Sequence, residues 1–439
     1  MSKKLADNTE LLSNVAHIID PHPSHRAPEA VSEGVPFAGI GDLNVAGELL
    51  PGKGRIVPAK TLAEHALRYK LSGNTIGFGR VATIGKVIDF RESISDLTIS
   101  PTMAVIEPFA VNKDFLLAAL EGVSVRKKID QWLTGSTRSS LGIELLREIP
   151  LPKFDQHSQK TIGAVYRALV TNIEKTEALI EKYQQIKAGL MHDLFTRGIG
   201  ADGQLRPPRE QAPALYQQTP IGWIPKEWDI VSLEDSDIAI IDGDRGENYP
   251  KGHELMNDGF CLFLSATNVT SNGFKFDKIQ FISEEKHSLL GTGSMLLGDV
   301  VITTRGTVGN IAYFDNTIPF NDMRINSGMV ILRSGQKDLT TDFLYCSLRN
   351  YIFSREYKRV ISGSAQPQLP IKDFKRFTVV IPSLNEQKAL VTRASSVDNV
   401  LSRENEILGK LKKQKIGLMN DLLTGKVPVN VVQAETAHV

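Results

Sequence analysis

The sequence predicts an α+β protein of two sheet-containing domains, each followed by a long helix that can pair with the other. Three observations lead to this fold class. The chain has 439 residues, which exceeds the usual size of a single hydrophobic core. One stretch of sequence occurs twice at a constant spacing, and each copy ends in an apolar heptad pattern.

The repeat keeps one offset over roughly sixty residues. The run LTGS at residues 133–136 recurs 228 positions later as ISGS at residues 361–364, so that Gly135 corresponds to Gly363. The same spacing relates Gln159 to Gln387, and relates the run GLMHDL at residues 189–194 to GLMNDL at residues 417–422. An unchanged register of this length predicts two copies of one structural unit.

Apolar residues in each copy alternate at spacings of four and three, which is the pattern of a coiled-coil seam. The polar breaks Thr176 and Lys187 recur as Glu404 and Lys415. Each helix should run for roughly 37 residues, about 55 Å at 1.5 Å per residue. Two separate amphipathic helices are the alternative, which the matching copies make less favourable. The predicted seam consists of Ile162, Tyr166, Leu169, Ile173, Ile180, Tyr183, Leu190, Leu194, Leu390, Val397, Leu401, Leu408, Leu411, Leu418 and Leu422.

Glycines and prolines at residues 198–220 predict a linker between the halves. Short β-branched and aromatic runs, such as residues 238–241 and 300–304, predict an irregular sheet-containing domain in the second half. Residues 73–85 resemble residues 298–309 weakly, so the first half should contain a related domain. The expected boundaries are a first domain at 1–150, a helix at 151–200, a linker at 201–220, a second domain at 221–382, a helix at 383–426 and a tail at 427–439.

Composition excludes several functional classes. With 51 basic and 50 acidic residues the net charge is +1, so the broad positive field of a non-specific nucleic-acid binder is missing. Cys261 and Cys346 are far apart and indicate neither a disulfide framework nor a thiolate metal site. No apolar run approaches the roughly 20 residues that cross a bilayer. The expected location is the cytoplasm, without membrane contact.

No motif predicts catalysis by this chain. Residues 79–87 resemble a phosphate-binding loop, but the glycine spacing is wrong and valine follows the lysine. Neither half contains the glycine fingerprint and Asn-Pro-Pro-aromatic run of adenine methyltransferases. His22 and His25 lack further ligands at metal-binding spacing, and the acidic residues at 235–244 lack the lysine of a metal-dependent nuclease. We therefore expect no catalytic residue, no metal and no cofactor on this chain.

Several polar residues are candidates for DNA contact. Arg80 and Arg305 lie at matching positions after extended segments and beside glycines. A guanidinium there could bind a guanine edge or a phosphate. A structural salt bridge is an equally plausible role for either arginine. Short polar residues on loops suit base or phosphate contacts, or they cap the loops themselves. The complete candidate set is Arg80, Arg305, Asn44, Ser265, Thr267, Asn268, Thr303, Thr304 and Arg324.

The opening Gly222-Trp223-Ile224-Pro225, the following Trp228 and the two GLM-x-DL runs resemble the DNA specificity (S) subunit of Type I restriction-modification enzymes. The resemblance covers nearly the whole chain, although the first domain lacks the tryptophan-containing opening. It implies two target recognition domains with mixed, curved β-sheets. It also implies that the two helices form an antiparallel coiled coil with pseudo-twofold symmetry.

This resemblance implies a non-catalytic subunit that binds double-stranded DNA, each recognition domain reading one half of a split site and the coiled coil setting the gap. Its implied partners are two modification subunits, which methylate adenine N6 with S-adenosylmethionine, and restriction subunits, which use ATP and magnesium to cut unmodified DNA. A two-headed coiled-coil scaffold that binds proteins without DNA specificity is the remaining alternative.

Overall fold

The computed structural model describes residues 9–22, 27–134, 140–361 and 367–429. They form two compact units: the first comprises the described residues of Met1–Ala178 and Asn405–Val439, and the second is Leu179–Glu404. The repeat anchors Gly135 and Gly363 lie outside the described residues, as does His25.

The first unit combines short strands with helices of very different length. In chain order its elements are β1 (Thr9–Leu11), β2 (Ala16–Ile19), β3 (Val35–Ala38), β4 (Arg55–Val57), α1 (Ala59–Ala66), β5 (Ile76–Gly79), β6 (Val87–Asp89), β7 (Thr98–Ile99), β8 (Met103–Pro108), α2 (Lys113–Glu121), α3 (Val123–Leu133), α4 (Ile143–Arg147), β9 (Pro150–Pro152) and the first part of α5 (Gln156–Thr196).

Its main sheet has the order β2-β8-β5-β6 and is antiparallel throughout. Successive residues of β8 pack into two hydrophobic cores on opposite faces of the sheet. Ala104 and Ile106 lie in the core that contains α2, and Met103 and Val105 lie in the other. This alternation follows from the two-residue period of a strand. A second sheet, β4-β3-β7, is mixed because β3 and β7 are parallel, and β1 pairs with β9.

The second unit contains the end of α5 and, in chain order, β10 (Tyr216–Thr219), β11 (Gly222–Pro225), β12 (Asp229–Ser232), β13 (Ile238–Asp242), β14 (Cys261–Leu264), β15 (Val269–Thr270), β16 (Gly273–Phe274), β17 (Phe281–Ile282), α6 (Glu284–Leu289), β18 (Val300–Thr303), β19 (Ile311–Tyr313), β20 (Met323–Ile325), β21 (Met329–Ser334), α7 (Thr341–Leu348), α8 (Tyr351–Val360), α9 (Ile371–Phe374), β22 (Thr378–Ile381) and the first part of α10 (Leu384–Leu423).

The second unit repeats the topology of the first. Its antiparallel sheet has the order β13-β21-β18-β19, and its mixed sheet has the order β17-β14-β20 with β14 and β20 parallel. Val300 and Ile302 face one core, whereas Val301 faces the other. The weak sequence similarity between the two globular domains therefore reflects one shared fold.

The two long helices pair antiparallel within each unit. In the first unit Tyr166, near the start of α5, packs in the same core as Leu422, near the end of α10. In the second unit Leu194, near the end of α5, packs with Leu390, near the start of α10. With 41 and 40 residues, each helix is about 60 Å long.

One predicted seam position differs from the others in burial. The predicted seam residues are buried or half-buried except Leu418, which is 37% exposed, while its neighbour Met419 is buried. Met419, Leu422 and Leu423 pack into the core of the first unit. The last turns of α10 therefore bury the seam residue Leu422 together with Met419 and Leu423, which lie beside the seam.

The residues of the predicted linker belong to the second unit. The last residues of the linker, Tyr216–Thr219, pair with Gly222–Pro225, so the expected boundary at residue 220 falls inside a hairpin turn. The buried Arg206 side chain binds Glu386 at 2.5 Å and Glu227 at 2.6 Å. No helix in the described ranges is both long enough and apolar enough to span a bilayer.

Candidate nucleic-acid interface

In each unit the second strand of the main sheet leads into a tight turn, which we name the reading turn: residues 80–85 in the first unit and 304–309 in the second. The Gly85 amide donates to the Gly79 carbonyl at 2.9 Å, and the Gly309 amide donates to the Thr303 carbonyl at 2.9 Å. Gly85 and Gly309 both have positive φ, +79° and +88°, which favours glycine.

The backbone register corrects the predicted match of two arginines. The Arg80 carbonyl accepts a hydrogen bond from Leu141, and the equivalent bond from Leu369 goes to the Thr304 carbonyl, each at 2.9 Å. Arg80 therefore corresponds to Thr304, and Arg305 corresponds to Val81. Neighbouring residues of an extended chain face opposite sides. The two arginines therefore differ in exposure: Arg80 is buried and Arg305 is exposed.

Arg80 is buried and anchors its turn. The residue is only 8% exposed. Its Nη1 lies 3.3 Å from Asp20 Oδ2, and its Nε donates a hydrogen bond to the Leu141 carbonyl at 3.0 Å. Of the two roles that the sequence allowed for Arg80, the structure shows the salt bridge, with Asp20. Thr303 and Thr304 are buried as well, which places them behind the surface of their turn.

Arg305 lies at the tip of the second reading turn with an exposed side chain. The tip of the first reading turn carries Val81 and Thr83, which are also exposed. Of the predicted arginines, Arg305 is thus the one with an exposed side chain.

A basic helix supports each reading turn. A Cβ on Gly85 would lie 2.7 Å from Arg126 Nη1, which donates to the Ile84 carbonyl at 3.0 Å. In the second unit a Cβ on Gly309 would lie 3.0 Å from the Tyr357 ring. Both glycines therefore permit close contact between turn and helix, α3 in the first unit and α8 in the second.

These helices carry basic residues that the sequence analysis missed. Lys127 on α3 is exposed and Lys128 half-buried, and Lys358 and Arg359 are exposed in the last turn of α8. Their signal in the sequence is a run of adjacent basic residues next to buried positions such as Val125. We name each reading turn and its basic residues the turn–helix surface. Positive charge of this kind suits phosphate contacts.

The polar loops after β3 and β14 are held by their own side chains. Asp42 Oδ2 accepts from the Gly39 amide at 2.8 Å, and Asn268 Oδ1 accepts from the Ser265 amide at 2.9 Å. The capping alternative therefore describes Asn268, which is buried. Asn44 likewise accepts from the amides of residues 46 and 48.

Ser265 and Thr267 share a hydrogen bond of 2.6 Å between their hydroxyls. Ser265 is half-buried, whereas Thr267 is exposed. In the loop after β14, Thr267 is thus the polar candidate best placed for a partner.

Arg324 is only 3% exposed. Its guanidinium donates to the carbonyls of His287 at 3.1 Å and Leu290 at 3.4 Å, and also to that of Thr292. Burial lowers the pKa of Arg324, while the nearby Cys261 and Asp244 act in the opposite direction. This arginine joins loop carbonyls inside the domain, which leaves it no path to a base edge.

The acidic residues at 235–244 hold turns. Asp244 accepts from the amides of Gly246 and Gly291, each at 2.8 Å, and the first of these bonds contributes most to lowering the pKa of Asp244. Asp242 pairs with Arg245 at 3.0 Å. In the described part of the chain, no three histidine, cysteine or acidic residues are grouped as metal ligands.

Comparison with known proteins connects this fold to one family. Residues 225–413 match the family model described as a Type I restriction modification DNA specificity domain. The Type I restriction enzyme MjaVIII specificity subunit of Methanocaldococcus jannaschii is 25% identical over 286 residues, or 64% of this chain. This chain spans 62% of the length of that relative.

A second relative from the same organism, the putative Type I restriction enzyme MjaX specificity subunit, is 24% identical over 384 residues, which cover 83% of this chain and 81% of the relative. Among solved structures, the S subunit of a Type I restriction-modification system from M. genitalium superposes with a TM-score of 0.57 at 16% identity, covering 94% of this chain and 95% of that one. The predicted resemblance and the α+β fold are thereby confirmed.

Proposed function

We propose that this chain is the non-catalytic subunit that recognises a bipartite, asymmetric DNA site, a function supported by its similarity to Type I restriction-modification DNA specificity subunits. Each globular domain reads one half-site through its turn–helix surface. Arg305 and Thr267 are the proposed direct contacts in the second domain, and Lys127, Lys128, Lys358 and Arg359 are proposed phosphate contacts.

One observation carries this proposal: the two units share a sheet order but differ in the side chains exposed on equivalent turns. The tip of one turn presents Val81, and the same position in the other presents Arg305. Bases are distinguished by the donors, acceptors and apolar groups that reach them. One frame with two different surfaces is therefore suited to two different half-sites, which makes the whole site asymmetric.

Partner subunits supply the chemistry in this proposal. Two modification subunits carry S-adenosylmethionine and methylate adenine N6, and restriction subunits carry ATP and magnesium and cut unmodified DNA. The repeated frame supports two equivalent modification subunits, one for each copy. The net charge of +1 supports partners that share the phosphate contacts. The assembly would act in the cytoplasm, where bacterial and archaeal DNA is found.

The long helices would set the gap between the half-sites. Both α5 and α10 contribute residues to both units, and within each unit they are joined to the globular domain by a shared core. A change in helix length would therefore change the gap and leave the half-site sequences unaltered. Residues 1–150 and 221–382 are the proposed recognition domains, and the strand Tyr216–Thr219 is paired with the start of the second.

The decisive experiment is methylome sequencing of cells that express this chain with its modification subunits, compared with cells that express the modification subunits alone. We expect one bipartite motif with a fixed gap, methylated at adenine only when this chain is present. Stable association with a methyltransferase but no methylated motif would instead support the protein-interaction scaffold, an alternative that the named relatives do not favour.

A further inference from the structure

A buried carboxylate joins three elements of the first unit. Asp89, the last residue of β6, is 7% exposed. Its Oδ1 lies 2.6 Å from Lys113 Nζ of α2, and its Oδ2 lies 2.6 Å from Arg167 Nη1 of α5 and 3.0 Å from Arg91 Nε. One carboxylate therefore binds three cations, which come from the loop after β6, from α2 and from α5.

Two of these cations extend the network. Arg167 also binds Asp114 of α2, with Nε 3.1 Å from Oδ1. Arg91 binds Glu174 of α5 through two nitrogens, at 3.0 and 2.6 Å. We name these six residues the Asp89 junction: Asp89, Arg91, Lys113, Asp114, Arg167 and Glu174. Their three acidic and three basic groups balance, and every ion pair except Asp89–Arg91 joins different elements.

The junction holds its elements together through directed polar bonds beside a partly open pocket. This pocket of about 170 Å³ is lined by Val87, Tyr166 and Val170 and also by the charged side chains of Asp89, Arg91 and Glu174. Bidentate and charge-assisted hydrogen bonds have narrow geometric requirements. A domain held by such bonds therefore has a defined orientation on its helix.

The second unit does not use this chemistry at the equivalent places. Tyr313 ends β19 where Asp89 ends β6, and the 228-residue spacing puts Ser395 and Ser402 at the positions of Arg167 and Glu174. Tyr313 instead stacks on Tyr345 with ring centroids 5.3 Å apart. The shared fold therefore does not require the ionic network, which is a property of the first unit.

We propose that the Asp89 junction positions the first recognition domain on α5 and thereby determines the gap between its half-site and the other. Arg167 and Arg91 are positioning residues that act through the orientation of the domain, without touching DNA. The inference rests on the function proposed above. It adds that the gap depends on this ionic joint as well as on helix length.

The test compares Arg167→Met with the wild-type chain, both expressed with their modification subunits. The control is Arg147→Met, which removes an exposed arginine paired with Glu144 in the same unit. Methylome sequencing reports the half-site sequences and the distribution of gap lengths. For Arg167→Met we expect both half-sites to persist, with methylation at gaps one base pair shorter or longer rising about tenfold relative to wild type. Arg167→Lys should restore part of the wild-type distribution, and Arg147→Met should retain it.

A wild-type gap distribution in a folded Arg167→Met chain would overturn the inference. If Arg167→Met abolishes all methylation, the milder double variant Arg91→Met with Glu174→Gln decides, since it leaves the pairs of Asp89 with Lys113 and Arg167 in place; an unchanged gap in that variant overturns the inference as well. Failure of the proposed function is recognised separately, because the wild-type chain itself would then yield no bipartite motif.

Discussion

The side chain of Gln159 accepts a hydrogen bond from the backbone amide of Asn112, with Oε1 and N 3.0 Å apart. Gln387 Oε1 accepts from the Thr340 amide at 2.9 Å. Each of these residues is separated from its counterpart by 228 positions. The repeat seen in the sequence therefore corresponds to a repeated joint, in which the first turn of a long helix caps the start of α2 or α7.

Gln387→Leu should destabilise the second unit. The side-chain amide of Gln387 is fully buried and also donates to the carbonyls of Asp338 and Pro382. Leucine would leave these groups and the Thr340 amide without partners, at a cost of about 2 kcal/mol or more in the free energy of unfolding. Thermal and urea unfolding would measure the loss. Gln414→Leu, at an exposed position of the same helix, should leave both curves near wild type; equal stability of the two variants would contradict this role.

Arg305→Ala should weaken binding of the assembled complex to its cognate DNA by about tenfold, because a bidentate arginine contact contributes roughly 1–3 kcal/mol of discrimination. Fluorescence-anisotropy titration with cognate DNA and with DNA altered in one half-site would measure the effect. The loss should be confined to the half-site read by the second domain. Arg209→Ala, which removes an exposed arginine of the linker, is the control. Wild-type affinity in Arg305→Ala would exclude Arg305 from recognition.

Inserting one heptad near Glu181 and one near Gly409, positions 228 residues apart, should lengthen the gap without changing either half-site. Seven residues add about 10 Å of helix, which corresponds to about three base pairs, and a whole heptad keeps the seam on the same face. Methylome sequencing reads the gap directly. The same seven residues inserted after Asp202, in an exposed loop of the linker, should have no effect; an unchanged gap in the helix variant would argue against a spacer.

The first unit should lose stability as the pH falls below about 6.5, the ordinary pKa of histidine. Burial lowers the pKa of His65, and the neighbouring His22 lowers it further. A histidine with a lowered pKa stabilises the fold while neutral, so this contribution is present above pH 6.5 and is lost as protonation of the unfolded chain becomes favourable. Melting temperatures of the wild type and His65→Gln between pH 8 and 5.5 should converge toward acid pH. A constant difference across that range would refute the effect.

Much of the frame was predictable because its signals are local. The period of the seam and the identities around Gln159 and Gln387 arise from residues close together in the chain, so a sequence reports them directly. The seam pattern did not indicate that Leu418 is exposed while Met419 is buried, because the end of α10 also packs on the core of a globular domain. That packing depends on residues far away in the sequence.

The sequence by itself determined the duplication, the two long helices, the absence of familiar catalytic motifs and the resemblance to Type I specificity subunits. Only the tertiary structure decided which charged residues lie inside. Arg80 is buried and binds a carboxylate, Arg324 is buried and binds backbone carbonyls, and Arg305 is exposed. Asp89 meets Arg167 across 78 positions of the chain. The physical reason is that an arginine has the same charge in any sequence, and its partner is chosen by the packing of strands and helices that bring distant residues together.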